Sequence, residues 1–347
     1  MKVIHVLKSN IYSGAENVVC TIIENASVDV EHVYVSPSGP IDSILENKCI
    51  HHYKIDKLSY QSVRSAIREL KPDIIHAHDF SATIFCAWAS IGINTSVISH
   101  LHSNPKWFER INIRNIMFLI ANIRIKRVLI VSNQVMEKAF FKRILKKKSV
   151  NVGNPFSIEN ICKRVDNNMG KHSDLLYVGR LSKEKNPLSF LRIVEKVAGI
   201  IPNIKAIVVG DGQMLQECQQ IVETRDTLRG IVEFVGFQKN PYNYINKTRV
   251  ICITSEYEGF GLVALEAMSL GKPVVCKAVG GLKTIMHEIK ENMNDEEDFL
   301  VERIVNLLND QELYIRQSKL AQNTALKYDN LSEYREKIEK VYSFCKY

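Results

Sequence analysis

The chain has 347 residues, 46% of them hydrophobic and 24% charged, with a formal net charge of +8. That length suits two domains, and the balance of apolar and charged residues excludes a disordered or fibrous chain. No run reaches the ~18 apolar residues of a membrane span, and the apolar start over residues 1–7 is too short for a secretory core, so a cytoplasmic location is expected.

Taken in order, the apolar runs at 3–7, 32–35, 74–77, 96–99, 128–131 and 150–152 read as strands. Helical stretches are predicted at 15–26, 61–70, 82–90 and 134–145. The most apolar segment, 111–125, is broken by Asn112, Arg114, Asn115, Asn122 and Arg124. The pattern lapses in a polar stretch at 154–173, read as a linker. It restarts with strands at 175–178, 204–209, 232–235, 250–253 and 274–276, and with helices at 187–198, 213–222 and 262–270. Helices are predicted over 297–308, 311–326 and 332–342. Short continuous apolar strands alternating with amphipathic helices imply α/β domains whose parallel sheets are covered on both faces. The expected boundaries are a first domain over 1–165 and a second over 172–330, with the terminal helix 331–347 packing back on the first. In sheets of this kind ligands bind at the carboxyl ends of the strands, which directs attention to a cleft between the domains.

The eight cysteines are scattered without a Cys-x-x-Cys pair, and several sit in apolar runs, as Cys252 and Cys276 do. They read as buried reduced thiols. Charge is uneven: residues 1–170 hold 22 Lys+Arg and 14 Asp+Glu, whereas 171–347 hold 24 of each. The whole positive excess therefore lies in the first half, and an anionic partner or surface would explain it.

One segment carries more chemistry than the rest. The strand at 250–253 runs into a turn with Glu258-Gly-Phe-Gly-Leu262, a helix bearing Glu266 follows, and Gly271 and Pro273 end it. Backbone N–H groups of Phe260, Gly261 and Leu262 at such a helix start suit a phosphate. Upstream, Gly179-Arg-Leu-Ser-Lys-Glu-Lys185 follows the first strand of the second half and places Arg180 and Lys185 in a strand-end loop. Fixed cations there would stabilise the charge that grows on a departing diphosphate.

These residues resemble the retaining glycosyltransferases of family GT4, which adopt the two-domain GT-B fold. The Glu-x7-Glu spacing of Glu258 and Glu266 matches, as do Glu-Gly-Phe-Gly-Leu, Glu266-Ala267, Gly271-Lys-Pro-Val-Val275 and the Gly-Arg-Leu…Glu-Lys loop. The resemblance implies two Rossmann-like domains facing a cleft. It gives Glu258 the donor sugar hydroxyls and Glu266 the ribose hydroxyls, with Gly259, Phe260, Gly261 and Leu262 among the donor-binding residues. Arg180 and Lys185 would meet the diphosphate, and Glu258, Arg180, Lys185 and His102 form the expected catalytic set. In the first half, Ser13-Gly-Ala-Glu16 resembles the family's Gly-Gly-Ala-Glu loop, so Gly14 is expected near the donor phosphate. His102, which ends a strand, falls where the family places a cleft histidine; His78 and His100 are weaker candidates.

The implied reaction moves a hexose or N-acetylhexosamine from a nucleotide-diphosphate sugar, UDP-sugar favoured, to a lipid-linked glycan of lipopolysaccharide or capsule type. Retention follows from the resemblance, and no carboxylate is assigned as a nucleophile. No Asp-x-Asp triplet occurs, so no metal and no cofactor is expected. A GDP-mannose-dependent mannosyltransferase of the same family and a catalytically silent GT-B glycan-binding protein are the alternatives. The basic run 138–148 and the aromatic, arginine-bearing segment 107–114 suit an anionic membrane surface, with association at the inner face of the cytoplasmic membrane. Phe141, Ile144 and Leu145 are expected to pack inward behind those cations. No nucleic-acid motif is present. After Lys283 the family's acidic residue, Asn-Gly stretch and short strand are missing, which leaves open how that domain's sheet edge is completed.

Overall fold

The computed structural model describes residues 1–102, 106–132, 134–137 and 139–346. The chain divides into two compact units, Met1–Pro155 with Asn330–Tyr347, and Phe156–Asp329.

The first unit is built on seven parallel strands, β1 Lys2–Val6, β2 Glu31–Pro37, β3 His52–Ile55, β4 Ile74–His78, β5 Ser96–Leu101, β6 Ile125–Ile130 and β7 Ser149–Asn151, in the order β3-β2-β1-β4-β5-β6-β7. The central strands are buried on both faces. Ile4 and Val6 pack with Val63, Ile67, Phe80 and Phe118 on one side, and Val3 packs with Ile98, Leu129 and Ile338 on the other. The helix Tyr60–Leu70 shows the local logic. Ser59 caps its start, its Oγ accepting from the Ser62 N–H at 3.2 Å. Val63, Ala66 and Ile67 form the buried stripe, and the helix stops at Lys71 in a left-handed conformation before Pro72.

The second unit repeats the plan with five parallel strands, β8 Ser173–Val178, β9 Ala206–Val209, β10 Val232–Gly236, β11 Thr248–Ile253 and β12 Val274–Cys276, in the order β10-β9-β8-β11-β12. Both sheets thus start in the middle, wind outward in one direction, then return and wind in the other. In each the winding reverses beside the first strand, between β1 and β4 and between β8 and β11. Such a reversal leaves a crevice at the carboxyl edge. Two parallel-sheet α/β domains of this topology constitute the GT-B class read from the sequence.

Three details depart from the sequence reading. Residues 156–165, given to the first domain, belong to the second: Phe156 and Ile161, the latter on the helix Ile158–Lys163, enter the core beside β11 and the helix Leu262–Ser269. A polar surface hid that apolar anchor. Strand β3 was not predicted, because His-Tyr-Lys-Ile at a sheet edge is only partly buried. Beyond Lys283, the short helix Leu282–Ile285 and the turn His287–Asn292 lead to Met293, which makes one parallel bridge with Cys276. That bridge closes the sheet edge where the family's strand is missing.

The terminal helix Leu331–Lys346 lies on the first unit's sheet. Tyr334, Ile338, Val341, Tyr342 and Cys345 recur at helical spacing and join Val3, Ile74 and Leu129 in one cluster. Ser96 Oγ donates to the carbonyl of Cys345 at 2.7 Å.

Candidate functional site

Two loops leave the carboxyl edge of the second sheet side by side, one after β8 and one after β11. The first descends through Gly179, Arg180 and Lys185 to Asn186, whose side chain caps the helix Pro187–Ala198 by accepting from the Ser189 N–H at 3.2 Å. Proline at the first helical position fixes the start. The loops are stitched together: Glu256 N–H donates to the Glu184 carbonyl at 2.8 Å, Thr254 Oγ1 to the Asn186 carbonyl at 2.9 Å, and Asn186 Nδ2 to Glu256 Oε1 at 2.7 Å. Lys277, from the loop after β12, reaches the same Glu256 oxygen at 2.7 Å.

This stitching brings Lys185 to Glu258. Lys185 Nζ lies 2.5 Å from Glu258 Oε2, and Ser255 Oγ donates to the same oxygen at 3.2 Å. The pair is half-buried, its side chains 31% and 15% exposed, so it is partly shielded yet open to a ligand. Charge-assisted contacts of this length are strong and directional. The Glu258 backbone is held from the other side by the loop after β12, through Gly281 N–H to the Glu258 carbonyl at 3.1 Å. Gly280 sits at φ +46°, and a Cβ there would stand 1.8 Å from the Glu258 carbonyl oxygen. Only glycine permits that approach.

Gly261, at φ +100°, opens the helix Leu262–Ser269 without a side-chain cap. Among the described residues the N–H groups of Phe260, Gly261 and Leu262 make no hydrogen bond, which leaves donors at a helix start. Glu266 lies on that helix, half-buried, with Tyr242 Oη donating to its Oε1 at 3.3 Å. Burial pushes the Glu266 carboxyl up to about 7, against the Tyr242 hydrogen bond and the Arg164 charge, which favour the anion. Arg164 in turn sits 5.2 Å from the centre of the Tyr242 ring. Arg180 is exposed, and among the described residues it makes no ion pair or hydrogen bond through its side chain. The four predicted charges therefore share one sheet edge, but among them only Lys185 and Glu258 touch; Glu266 has its own partners, and Arg180 is exposed near Glu184, whose carboxyl its charge helps to lower.

The carboxyl edge of the first sheet is built differently. Gly14 begins the helix Gly14–Glu24, and a Cβ on it would meet nothing within 4 Å, so the space above the helix start is open. Glu16 is buried and accepts from the Ser13 N–H at 3.0 Å and from Ser13 Oγ at 2.5 Å; burial raises its carboxyl above the ordinary range. His102 is half-buried just beyond β5. Its N–H donates to Asp79 Oδ1 at 3.2 Å, and its Nε2 meets His78 Nδ1 at 3.0 Å. Asp79 itself holds φ +65°, an uncommon conformation for a non-glycine residue, and burial moves its carboxyl up to about 6.

Reading the sequence missed Tyr242 and Arg164 as neighbours of Glu266, Asp79 as the support of His102, and a row of histidines behind it. The one legible signal for that row was the repeated His-x-His at 76–78 and 100–102. Of the basic segment, Phe141 and Leu145 pack against the first core as expected, whereas Ile144 is exposed. It sits on a short helix, Lys142–Lys146, with only one buried position, Leu145. Lys138 lies outside the described residues.

Residues 161–324 match the family described as Glycosyl transferases group 1, and residues 12–144 match Glycosyltransferase Family 4. A Campylobacter jejuni α-1,4-N-acetyl-D-galactosaminyltransferase that acts on an undecaprenol-diphosphate-linked glycan is 25% identical over 259 residues, covering 72% of this chain and 69% of that one. An Escherichia coli UDP-Gal:α-D-GlcNAc-diphosphoundecaprenol α-1,3-galactosyltransferase is 27% identical over 171 residues, 48% of this chain and 44% of that one. The crystal structure of HepE from Anabaena, in complex with UDP and glucose, superposes with a TM-score of 0.85 at 21% identity, covering 99% of each chain.

Proposed function

Because the chain belongs to the family 4 glycosyltransferases and has their GT-B fold, we propose that it is a retaining, metal-independent transferase working from a UDP-sugar onto a lipid-linked glycan. The observation that carries this reading is the Lys185–Glu258 contact of 2.5 Å at the point where the second sheet reverses its winding. A cation and a carboxylate fixed together offer a phosphate and a sugar hydroxyl their complementary partners.

In the proposed cycle the second unit binds the donor. Glu258 orients the sugar hydroxyls and Glu266 takes the ribose hydroxyls. The free N–H groups of Gly261 and Leu262, with Phe260 and Gly259 forming the turn, face the diphosphate beside Lys185 and Arg180. The exposed Arg180 supports this role, because a guanidinium that makes no hydrogen bond or ion pair among the described residues is ready for one from the ligand. As the anomeric C–O bond breaks, its electron pair passes to the phosphate oxygen, and Lys185 and Arg180 stabilise that charge in place of a metal ion. The first unit receives the acceptor, with His102 at the sheet edge, and the open helix start at Gly14 is assigned to the donor phosphate. The relatives' undecaprenol-linked substrates support a lipid-linked acceptor and a UDP donor.

A surface feature supports work at a bilayer. Ile111, Ile113, Ile116, Ile120 and Ile123 are exposed around the helix Ile113–Ala121, and Phe140 and Ile144 are exposed nearby, where the Phe140 N–H donates to the Phe108 carbonyl at 3.1 Å. Arg110, Arg114, Lys142, Arg143, Lys146 and Lys147 are interspersed among them. Apolar side chains framed by cations suit an anionic membrane surface, each cation contributing about 1 kcal/mol.

A thermal-shift screen of UDP, GDP, ADP and their sugars tests the donor. UDP at 100 times its dissociation constant should add about 2.7 kcal/mol. Stabilisation by GDP alone, or by no nucleotide, removes the UDP-sugar reading. Co-sedimentation with phosphatidylglycerol vesicles but not with phosphatidylcholine vesicles is the expected membrane result.

A further inference from the structure

Six of the ten histidines lie on one face of the first sheet, beneath the terminal helix. Four of them form a continuous chain across neighbouring strands. His102 Nε2 meets His78 Nδ1 at 3.0 Å, His78 Nε2 meets His5 Nδ1 at 3.1 Å, and His5 Nε2 meets His32 Nδ1 at 2.9 Å. The pairs stand on β5, β4, β1 and β2, in the order in which those strands lie side by side, with His102 one residue past β5. His5 is level with His76 but bonds to His78, and His78 is level with His100 but bonds to His102. At its other end His32 is level with Val3, two residues short of His5. The chain thus climbs two residues toward the carboxyl edge at every strand.

The ring geometry identifies what this chain is. Successive ring centres are 5.3, 5.4 and 5.1 Å apart, and the ring planes are tilted by only 20°, 24° and 27°. Each separation exceeds its N···N distance by nearly the same margin, the span of two ring radii, so the rings meet edge to edge with nitrogens pointing along the line of centres. His5 and His78 each use both nitrogens, one toward each neighbour. A neutral imidazole has one N–H and one bare nitrogen, and such rings in a row donate and accept in one sense from end to end. Burial keeps them neutral: it depresses His5 and His78 far below the ordinary range and takes His32 to about 4 and His102 to about 3. His76 and His100 form a second, shorter branch. His76 Nδ1 meets Tyr342 Oη at 2.8 Å and its Nε2 meets His100 Nδ1 at 3.2 Å.

We propose that His102, His78, His5 and His32 are a proton relay, carrying the proton of an acceptor hydroxyl from the sheet edge to water on the far side of the unit. This rests on the transferase reading above. As the acceptor oxygen bonds to the anomeric carbon, its proton passes to His102 Nδ1. His102 Nε2 gives its proton to His78 Nδ1, His78 Nε2 to His5 Nδ1, and His5 Nε2 to His32 Nδ1. His32 Nε2 releases one proton to water. No ring keeps a net charge, which is what allows the path to run through a buried core. The electron pair of the broken bond stays on the diphosphate. After product leaves, the same hops in reverse, from water at His32 to water at His102, restore the starting tautomers.

The far end suits this release. His32 Nε2 is buried without a partner among the described residues, and His32 lines a cavity of about 20 Å³ with Thr21, Asn25, Ser27 and Tyr342. That is room for about one water molecule. A metal centre is the rival use of these rings, since His78, His100 and His102 hold three nitrogens within 4.8 Å of one another. Both nitrogens of His78 are already committed to its neighbours in the row, which favours the relay.

Two measurements on the full chain test it. In protein labelled with 15N-histidine, scalar couplings across the three N–H···N bonds should appear, with all four rings neutral at pH 7. Absent couplings, or a stoichiometric zinc ion that abolishes them and is needed for turnover, overturn the relay. In transfer assays His5→Gln should lower kcat roughly 10²-fold, the scale of general acid–base assistance, with the donor KM unchanged. The dependence of the wild-type rate on D2O fraction should be curved and should become linear in the variant. Should His5→Gln fail to fold, His32→Gln at the open end takes its place. Wild-type rate and isotope dependence in a folded variant overturn the proposal. Couplings present in a wild-type protein that transfers no sugar would fault the transferase reading, and with it the relay's task, while leaving the wire itself.

Discussion

The two sheets share a strand order but prepare their carboxyl edges in opposite ways. At the second, charge is kept: Lys185 and Glu258 pair in a half-open crevice, and Arg180 stands exposed beside them. At the first, charge is removed: six histidines are packed against one face until burial leaves their rings neutral. One topology therefore carries both a charged edge and a row of neutral, buried rings. Side-chain solvation, rather than backbone path, sets the difference.

The largest expected effect breaks the charged side of that comparison. Glu258→Gln keeps the side-chain shape but removes the carboxylate facing Lys185, and should lower kcat about 10³-fold, in the range for losing one electrostatic contact to the transition state. Nucleotide binding, followed by thermal shift, should persist.

Acid sharpens the comparison instead. The buried histidines titrate below their ordinary value of 6.5 in the folded protein, so below that pH the unfolded chain binds more protons. The first unit then loses stability as pH falls toward about 4 and 3, the values for His32 and His102. Glu266 has the opposite sign. Its folded value of about 7 lies above the ordinary 4.5, so the penalty for burying it grows as pH rises from 4.5 to 7 and is relieved by acid. The raised carboxyls of Glu16 and Asp79 offset part of the first unit's loss. On going from pH 7 to pH 4.5 the first unit should lose stability and the second should not. Hydrogen exchange resolved along the chain reads both at once, and equal loss in the two units would contradict the burial argument.

A smaller effect is expected from Gly280→Ala. The added methyl meets the Glu258 carbonyl, and the left-handed φ disfavours any side chain. A loss of about 2 kcal/mol in denaturant unfolding, with reduced turnover, is the expected result. Smallest is Tyr242→Phe. Removing a 3.3 Å hydrogen bond to Glu266 should cost less than about 1 kcal/mol and raise the pH at which that carboxyl titrates.

The candidate site was legible where its residues keep a fixed spacing along the chain. Glu258, Glu266, the glycines between them and the loop bearing Arg180 and Lys185 could all be found in order. The partners of these residues could not. Tyr242 and Arg164 reach Glu266 from elements far away in sequence, and Gly280 supports Glu258 from another loop. His5 and His32 gave no sign of joining His78 and His102, since each is the one histidine of its strand.

By itself the sequence determined the two α/β domains, because apolar runs of strand length alternating with amphipathic helices have few other ways to bury their surface. It also determined the carboxylates and cations at the second sheet's edge, because strand-end loops are local. Only the tertiary structure decided which of those charges touch, that residues 156–165 anchor in the second unit, and that histidines from four strands line up nitrogen to nitrogen. Register between parallel strands is set by long crossover connections and by packing on both faces of the sheet, and no spacing along the chain records it.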